Sequence, residues 1–215
     1  MTGIIITGVA RGGTSLIAGV CDSIGVPMGK GGPRFENPYL QWAVLAERWD
    51  VVALLIKSIE EEQPIWGWKL PVLHRSLPRV AEMVADPRFI FVLKDSVSVA
   101  RRRCDPANAR QFAKWIERGA RAQRMMAAFA AATDLPTLFV SYDELVRDME
   151  RGIDSIARFC GVAAPDMGAV IDQLNENHLA YLGATYQPRV RTALDGRLSR
   201  ICVEAGVSAP GNATP

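Results

Sequence analysis

The chain has 215 residues, a hydrophobic fraction of 49% and a formal net charge of +2, enough for one sizeable core and too mildly charged for a general polyanion binder. No apolar run reaches the length of a membrane span, and the four cysteines and two histidines are too scattered for a zinc site. What remains is one α/β domain over residues 1–207 with a flexible tail over 208–215, no nucleic-acid partner, no membrane span, and a local anion site.

The apolar run Ile4-Ile5-Ile6 predicts a first strand and Leu16-Ile17-Ala18-Gly19-Val20 a first helix. Between them, Gly8-Val9-Ala10-Arg11-Gly12-Gly13-Thr14-Ser15 forms a glycine turn. Such a turn lets successive backbone N–H groups approach one anion while the helix end adds its positive dipole. The spacing is that of a Walker A loop, G-x-x-x-x-G-K-[ST], with Thr14 in the lysine position. A loop that lacks this lysine but carries Arg11 suits a nucleotide with one 5′-phosphate and a group beyond it. The plain alternative is a strand-to-helix turn that binds nothing.

Gly25-Val26-Pro27-Met28-Gly29 predicts a short second strand, and residues 30–38 an irregular loop. Helical spacing resumes near Tyr39, with Leu40, Trp42, Ala43, Ala46 and Trp49 in step, and a further helical stretch runs to Glu60-Glu61-Glu62, where Pro64 ends it. Ile65 to Lys69 is expected as a strand and Leu73 to Val84 as a helix. The continuous run Phe89 to Leu93 fits a central parallel strand. A short helix over Val97 to Arg103, a long one over Phe112 to Ala132, a buried strand over Thr137 to Val140 and a helix over Tyr142 to Cys160, capped by Gly161, complete the strong signals. Beyond Ala163 the helical pattern is weak. Cys21 and Cys160 fall in helical apolar patterns and are expected as buried free thiols. With no basic stretch ahead of the first strand, they point to a reducing, cytoplasmic setting.

Alternating strands and helices predict a three-layer α/β/α fold around a parallel sheet. Ligands of such sheets gather at the carboxyl ends of the strands. Those ends carry Gly8 to Ser15, Lys69, Lys94 to Ser98, and Ser141-Tyr142.

Three segments in register then resemble the sulfotransferases that use 3′-phosphoadenosine 5′-phosphosulfate (PAPS). They are Val9 to Leu16, Phe89-Ile90-Phe91-Val92-Leu93-Lys94-Asp95, and Leu138-Phe139-Val140-Ser141-Tyr142-Asp143-Glu144-Leu145 with Ile156 to Val162 following. The resemblance covers roughly residues 3–162 and implies a P-loop-like phosphosulfate loop with PAPS as co-substrate and no metal. It implies that Arg11, Gly12, Gly13, Thr14 and Ser15 hold the 5′ end of the nucleotide. Lys94 stands where the family has an arginine on the 3′-phosphate, losing the bidentate fork. Ser96 replaces a proline, and Arg102 stands where a serine is usual. Either Arg102 or Ser98 would complete that phosphate contact. The family's C-terminal glycine-rich loop has no clear counterpart, and Arg189 in Tyr186 to Arg191 is the basic candidate there.

The resemblance also implies roles in the transfer itself. Arg11 would neutralise the bridging oxygen, Lys69 would lie over the sulfuryl group, and Glu36 would take the acceptor's proton, with His74 as the rival base. Glu36 also reads as part of a helix start, and Arg101-Arg102-Arg103 as a solvated face. The acceptor would be a small molecule or a glycan, reached through its hydroxyl or amine. Trp42, Trp49, Trp66, Trp68 and Phe35 would line its pocket or fill the core. Two other classes stay open, a P-loop kinase with Asp95 as a metal ligand and a catalytically degenerate nucleotide-binding protein of the same fold.

Overall fold

The computed structural model describes residues 1–29, 34–163, 166–183 and 193–206. The expected tail over 208–215 and the loop Tyr186 to Arg191, with Arg189, lie outside the described residues.

Strands β1 (Thr2–Gly8), β2 (Ile65–Lys69), β3 (Pro87–Leu93) and β4 (Thr137–Ser141) form one parallel sheet in the order β2-β1-β3-β4. The two central strands are the most continuously apolar, because both of their faces are covered. Successive side chains alternate between the layers. Ile5, Phe89 and Phe91 join Trp66 and Trp68 on one face, whereas Ile4, Ile6, Ile90 and Val92 point to the other.

The first face is covered by α2 (Pro38–Leu45), α3 (Trp49–Glu60), α4 (Leu77–Met83), α6 (Ala109–Ala131) and α10 (Ala193–Glu204). The second is covered by α1 (Thr14–Ser23), α7 (Tyr142–Arg147), α8 (Met149–Cys160) and α9 (Met167–Gly183). Short α5 (Ser96–Arg101) packs on α6. The expected three-layer α/β/α arrangement is thus present. Cys21 and Cys160 are buried and free.

Several expected boundaries move. Gly25 to Met28 is not a strand. Its Pro27 carbonyl accepts the Gly67 amide at 2.9 Å, but proline has no N–H with which to continue a ladder beside β2. The first helical stretch, expected to take in Ala46 and Trp49, stops at Leu45, and Glu47 with φ 56° separates it from α3, which starts at Trp49. The one expected over Leu73 to Val84 divides into a 3₁₀ turn at Pro71–Arg75 and α4, with Pro78 starting the second piece. The helix expected over Tyr142 to Cys160 is interrupted at Asp148, whose carboxylate accepts the Arg151 amide and so caps α8. Strand β4 is an edge strand and not a buried one, leaving Phe139 43% exposed. Trp66, Trp68 and Phe35 are core, while Trp42 is exposed.

One cap fixes the approach to the site. Asn37 accepts from the amides of Tyr39 at 3.0 Å and Leu40 at 3.2 Å, and Pro38 at the first helical position lacks the amide that would go unpaired. This anchors Glu36 directly ahead of α2. Asn37→Ala is expected to lower unfolding free energy by about 1 kcal/mol, measured by urea denaturation, because both amides lose their acceptor.

Candidate functional site

The four strands end together, and each delivers a polar group to that edge. Register pairs Lys69 of β2 with Ile6 of β1, Gly8 of β1 with Val92 of β3, and Leu93 of β3 with Ser141 of β4. Lys69, the loop after Gly8, Lys94 and Tyr142 therefore line up across the sheet.

The loop is shaped for an anion. Gly13 precedes α1 with φ 91°, a left-handed conformation natural to glycine. Arg11 adopts φ 72°, which costs a non-glycine residue of order 1 kcal/mol and is typical of functional turns. The Gly12 amide is taken by the Val9 carbonyl at 2.7 Å, and the Leu16 amide returns to Gly13 O at 3.0 Å. The amides of Gly13, Thr14 and Ser15, at the first turn of α1, find no backbone acceptor among the described residues. No acidic residue sits in that turn. Three open donors at a helix N-terminus form an anion cradle.

Tyr142 closes the cradle on one side. A Cβ at Gly13 would lie 2.0 Å from the Tyr142 ring, so only glycine permits this approach. The Lys94 ammonium sits over the same ring, 3.5 Å from its centroid, a cation–π contact. Burial lowers the Lys94 pKa, and the nearby Arg102 charge lowers it further. Two cations that repel one another at this edge invite an anion between them. Ser98 is half-buried on α5, and its amide donates to Asp95 Oδ2 at 2.7 Å. This bond also holds the Asp95 carboxyl below its ordinary pKa. The Asp95 amide donates to Asp143 at 3.3 Å, and Gln123 of α6 donates to the Lys94 carbonyl. Tyr142 was legible as the first residue after a strand at the carboxyl edge. Its stacking on Gly13 was not, because only tertiary packing creates it.

On the other flank, Lys69 is 2% exposed and donates to Glu36 Oε1 at 2.6 Å and to the Arg34 carbonyl at 2.9 Å. Burial pushes the Lys69 pKa down, opposed by Glu36. A buried ammonium with two acceptors keeps one N–H for a third. Glu36 Oε2 has no partner among the described residues. The sequence placed Lys69 at a strand end and Glu36 in the loop ahead of a helix, and the fold joins them directly.

His74 belongs to the 3₁₀ turn behind the loop. Its amide donates to Thr7 Oγ1 at 3.2 Å, its Nδ1 lies 2.8 Å from the Pro71 carbonyl, and burial lowers its pKa. Nδ1 facing a carbonyl fixes the tautomer with the proton there and leaves Nε2 as acceptor. Among the described residues no group of His, Cys, Asp and Glu could hold a metal ion, and no helix is long and apolar enough to cross a membrane.

Comparison with known proteins agrees with this fold. The family model described as the sulfotransferase family matches residues 35–166, a span that holds Glu36, Lys69, Lys94, Ser98, Arg102 and Tyr142 and begins after the glycine loop. Among solved structures, the chain is similar to the sulfotransferase domain from the curacin biosynthetic pathway, with TM-score 0.62 and 12% identity, covering 98% of this chain and 99% of that one. It is also similar to the sulfotransferase domain from the Synechococcus PCC 7002 olefin synthase, with TM-score 0.59 and 16% identity, covering 98% and 96%. At these identities the likeness is one of fold. No curated protein sequence matches.

The Lys69–Glu36 pair makes a pH-dependent prediction. Glu36→Gln leaves a buried ammonium without its counter-charge and is expected to cost about 2 kcal/mol at neutral pH, less than a fully buried pair because Glu36 is partly open. Lys69 binds its proton less tightly folded than unfolded, where lysine titrates near about 10.4, so raising pH through that window favours the fold. Loss of Glu36 deepens the depression, and the deficit relative to wild type should shrink between pH 7 and about pH 9.5 in urea titrations. A deficit unchanged with pH would contradict the pairing.

Proposed function

The chain belongs to the sulfotransferase family, and on that premise we propose that it transfers a sulfuryl group from PAPS to a hydroxyl or amine of a small-molecule or glycan acceptor. The observation that carries this reading is the glycine loop, with three open amides and Arg11 but no Walker lysine, set between Lys94 on one side and Lys69 on the other.

In this reading the amides of Gly13, Thr14 and Ser15 take the 5′-phosphate, assisted by the dipole of α1. The Thr14 and Ser15 hydroxyls lie in the same first turn. Lys94 holds the 3′-phosphate with Arg102 or Ser98 beside it, and Tyr142 bounds the space between the two phosphates. The acceptor oxygen attacks sulfur in line, and the bond from sulfur to the bridging oxygen breaks. Arg11 neutralises the charge left on that oxygen, and the third N–H of Lys69 steadies the equatorial sulfuryl oxygens. Glu36 receives the acceptor's proton on Oε2, with Oε1 held by Lys69. Nothing in this displacement calls for a metal.

A kinase would need a carboxylate for magnesium, and Asp95 is engaged in capping α5. The buried free thiols support a reducing, cytoplasmic setting.

Two measurements test the proposal. Adenosine 3′,5′-bisphosphate should raise the melting temperature, with about 2.7 kcal/mol of stabilisation at a hundredfold excess over Kd, whereas ATP with Mg²⁺ should not. A response to ATP–Mg²⁺ alone would favour phosphoryl transfer. Arg11→Ala should lower kcat by about 10²-fold or more while leaving the fold intact. Retention of a tenth of the wild-type rate would remove Arg11 from the transition state, and a wild-type protein that binds the nucleotide but transfers nothing would mark a degenerate member.

A further inference from the structure

The chain's charge is unevenly distributed. Residues 94–124 hold nine Lys/Arg against three Asp/Glu, in a chain with a net charge of +2. On α6, Arg110, Lys114, Arg118, Arg121 and Arg124 recur at three- and four-residue steps and share one face. All five are exposed, while Gly119, Ala122 and Met126 turn the opposite face to the core. No ion pair among the described residues involves any of them. The stripe extends about 21 Å along the helix axis. Like charges at such spacing repel and weaken a helix, so the stripe opposes stability and calls for another reason to exist.

We propose that this face of α6 docks an acidic protein surface, one that presents carboxylates at helical intervals together with a cation opposite Glu117. Glu117 is exposed and lies within the basic stripe. A uniform polyanion would be repelled there, whereas a partner of mixed charge gains register from it. The arginines suit carboxylates, which their planar forks bind through paired N–H groups.

Other occupants fit less well. Single-stranded nucleic acid would want an open aromatic platform, but Trp115 carries the Arg103 guanidinium at 4.8 Å and that of Arg118 at 4.7 Å from its ring. A membrane would want large apolar side chains beside the cations, and the exposed apolar residues of α6 are alanines. The chain's own acidic residues Asp143, Glu144, Asp148, Glu150 and Asp154 lie on α7, on α8 and between them, across the sheet from α6. Pairing between copies would set unlike faces against each other, a heterologous contact. Because α6 touches Lys94 through Gln123, a docked partner sits beside the anion site without entering it. The surface does not depend on the transfer chemistry.

Fluorescence anisotropy with two labelled helical peptides of identical composition tests the proposal. One places Glu to face Arg110, Lys114, Arg118 and Arg121 and Lys to face Glu117; the other scrambles those positions. At about 0.15 M salt the registered peptide should bind at least about tenfold more tightly. That preference should vanish in R110E/R118E/R121E and in the milder R118Q/R121Q, each keeping a cooperative thermal unfolding transition and the wild-type response to adenosine 3′,5′-bisphosphate. Equal binding of the two peptides, binding of neither, or displacement of the registered peptide by a heparin fragment, duplex DNA or phosphatidylglycerol vesicles of equal charge would overturn it.

Discussion

Everything at the carboxyl edge depends on a strand-to-helix turn that leaves backbone donors open. β1 is fully enclosed by its neighbours, so its exit is fixed in place, and the chain must reverse within a few residues to start α1. Left-handed geometry at Arg11 and Gly13 accomplishes the reversal and turns the amides of Gly13, Thr14 and Ser15 outward together. Those amides are costly without an acceptor. The turn is therefore a candidate anion site because of what its backbone does not satisfy internally.

The flanking charges follow from the same parallel sheet. A buried ammonium such as Lys69 survives at a strand end only with acceptors around it, and Glu36 and the Arg34 carbonyl provide them. This pairing gives Glu36 two duties. Its Oε1 is engaged by the Lys69 ammonium, which fixes the side chain in place and leaves Oε2 for the proposed proton transfer. On the far flank, the Tyr142 ring touches both Gly13 and Lys94 and so ties the loop to that cation.

Much of the fold was legible from the chain. Ile4-Ile5-Ile6 and Phe89 to Leu93 read as covered strands because a central strand is apolar on both faces, and Ile65 to Lys69 matched its bounds. The misses have local causes. Val26 and Met28 alternate like a strand, but Pro27 removes the donor that a ladder needs. Thr137 to Val140 looks buried by composition, yet its place at the sheet edge depends on strand order, which composition does not encode. Asp148 and Pro78 divide helices whose apolar periodicity runs on past them. Within the site, strand ends and glycines were visible as a pattern. The direct Lys69–Glu36 bond, the Tyr142 ring on Gly13 and the service of Asp95 as a cap are tertiary facts.

The central claim is that the loop amides grip the 5′ end of an adenosine nucleotide whose 3′-phosphate meets Lys94. A crystal structure with adenosine 3′,5′-bisphosphate tests it most directly. The account predicts the 5′-phosphate within hydrogen-bond distance of the amides of Gly13, Thr14 and Ser15 and the 3′-phosphate on Lys94 beside Tyr142. A nucleotide bound elsewhere, or with its phosphates reversed between the loop and Lys94, would contradict it.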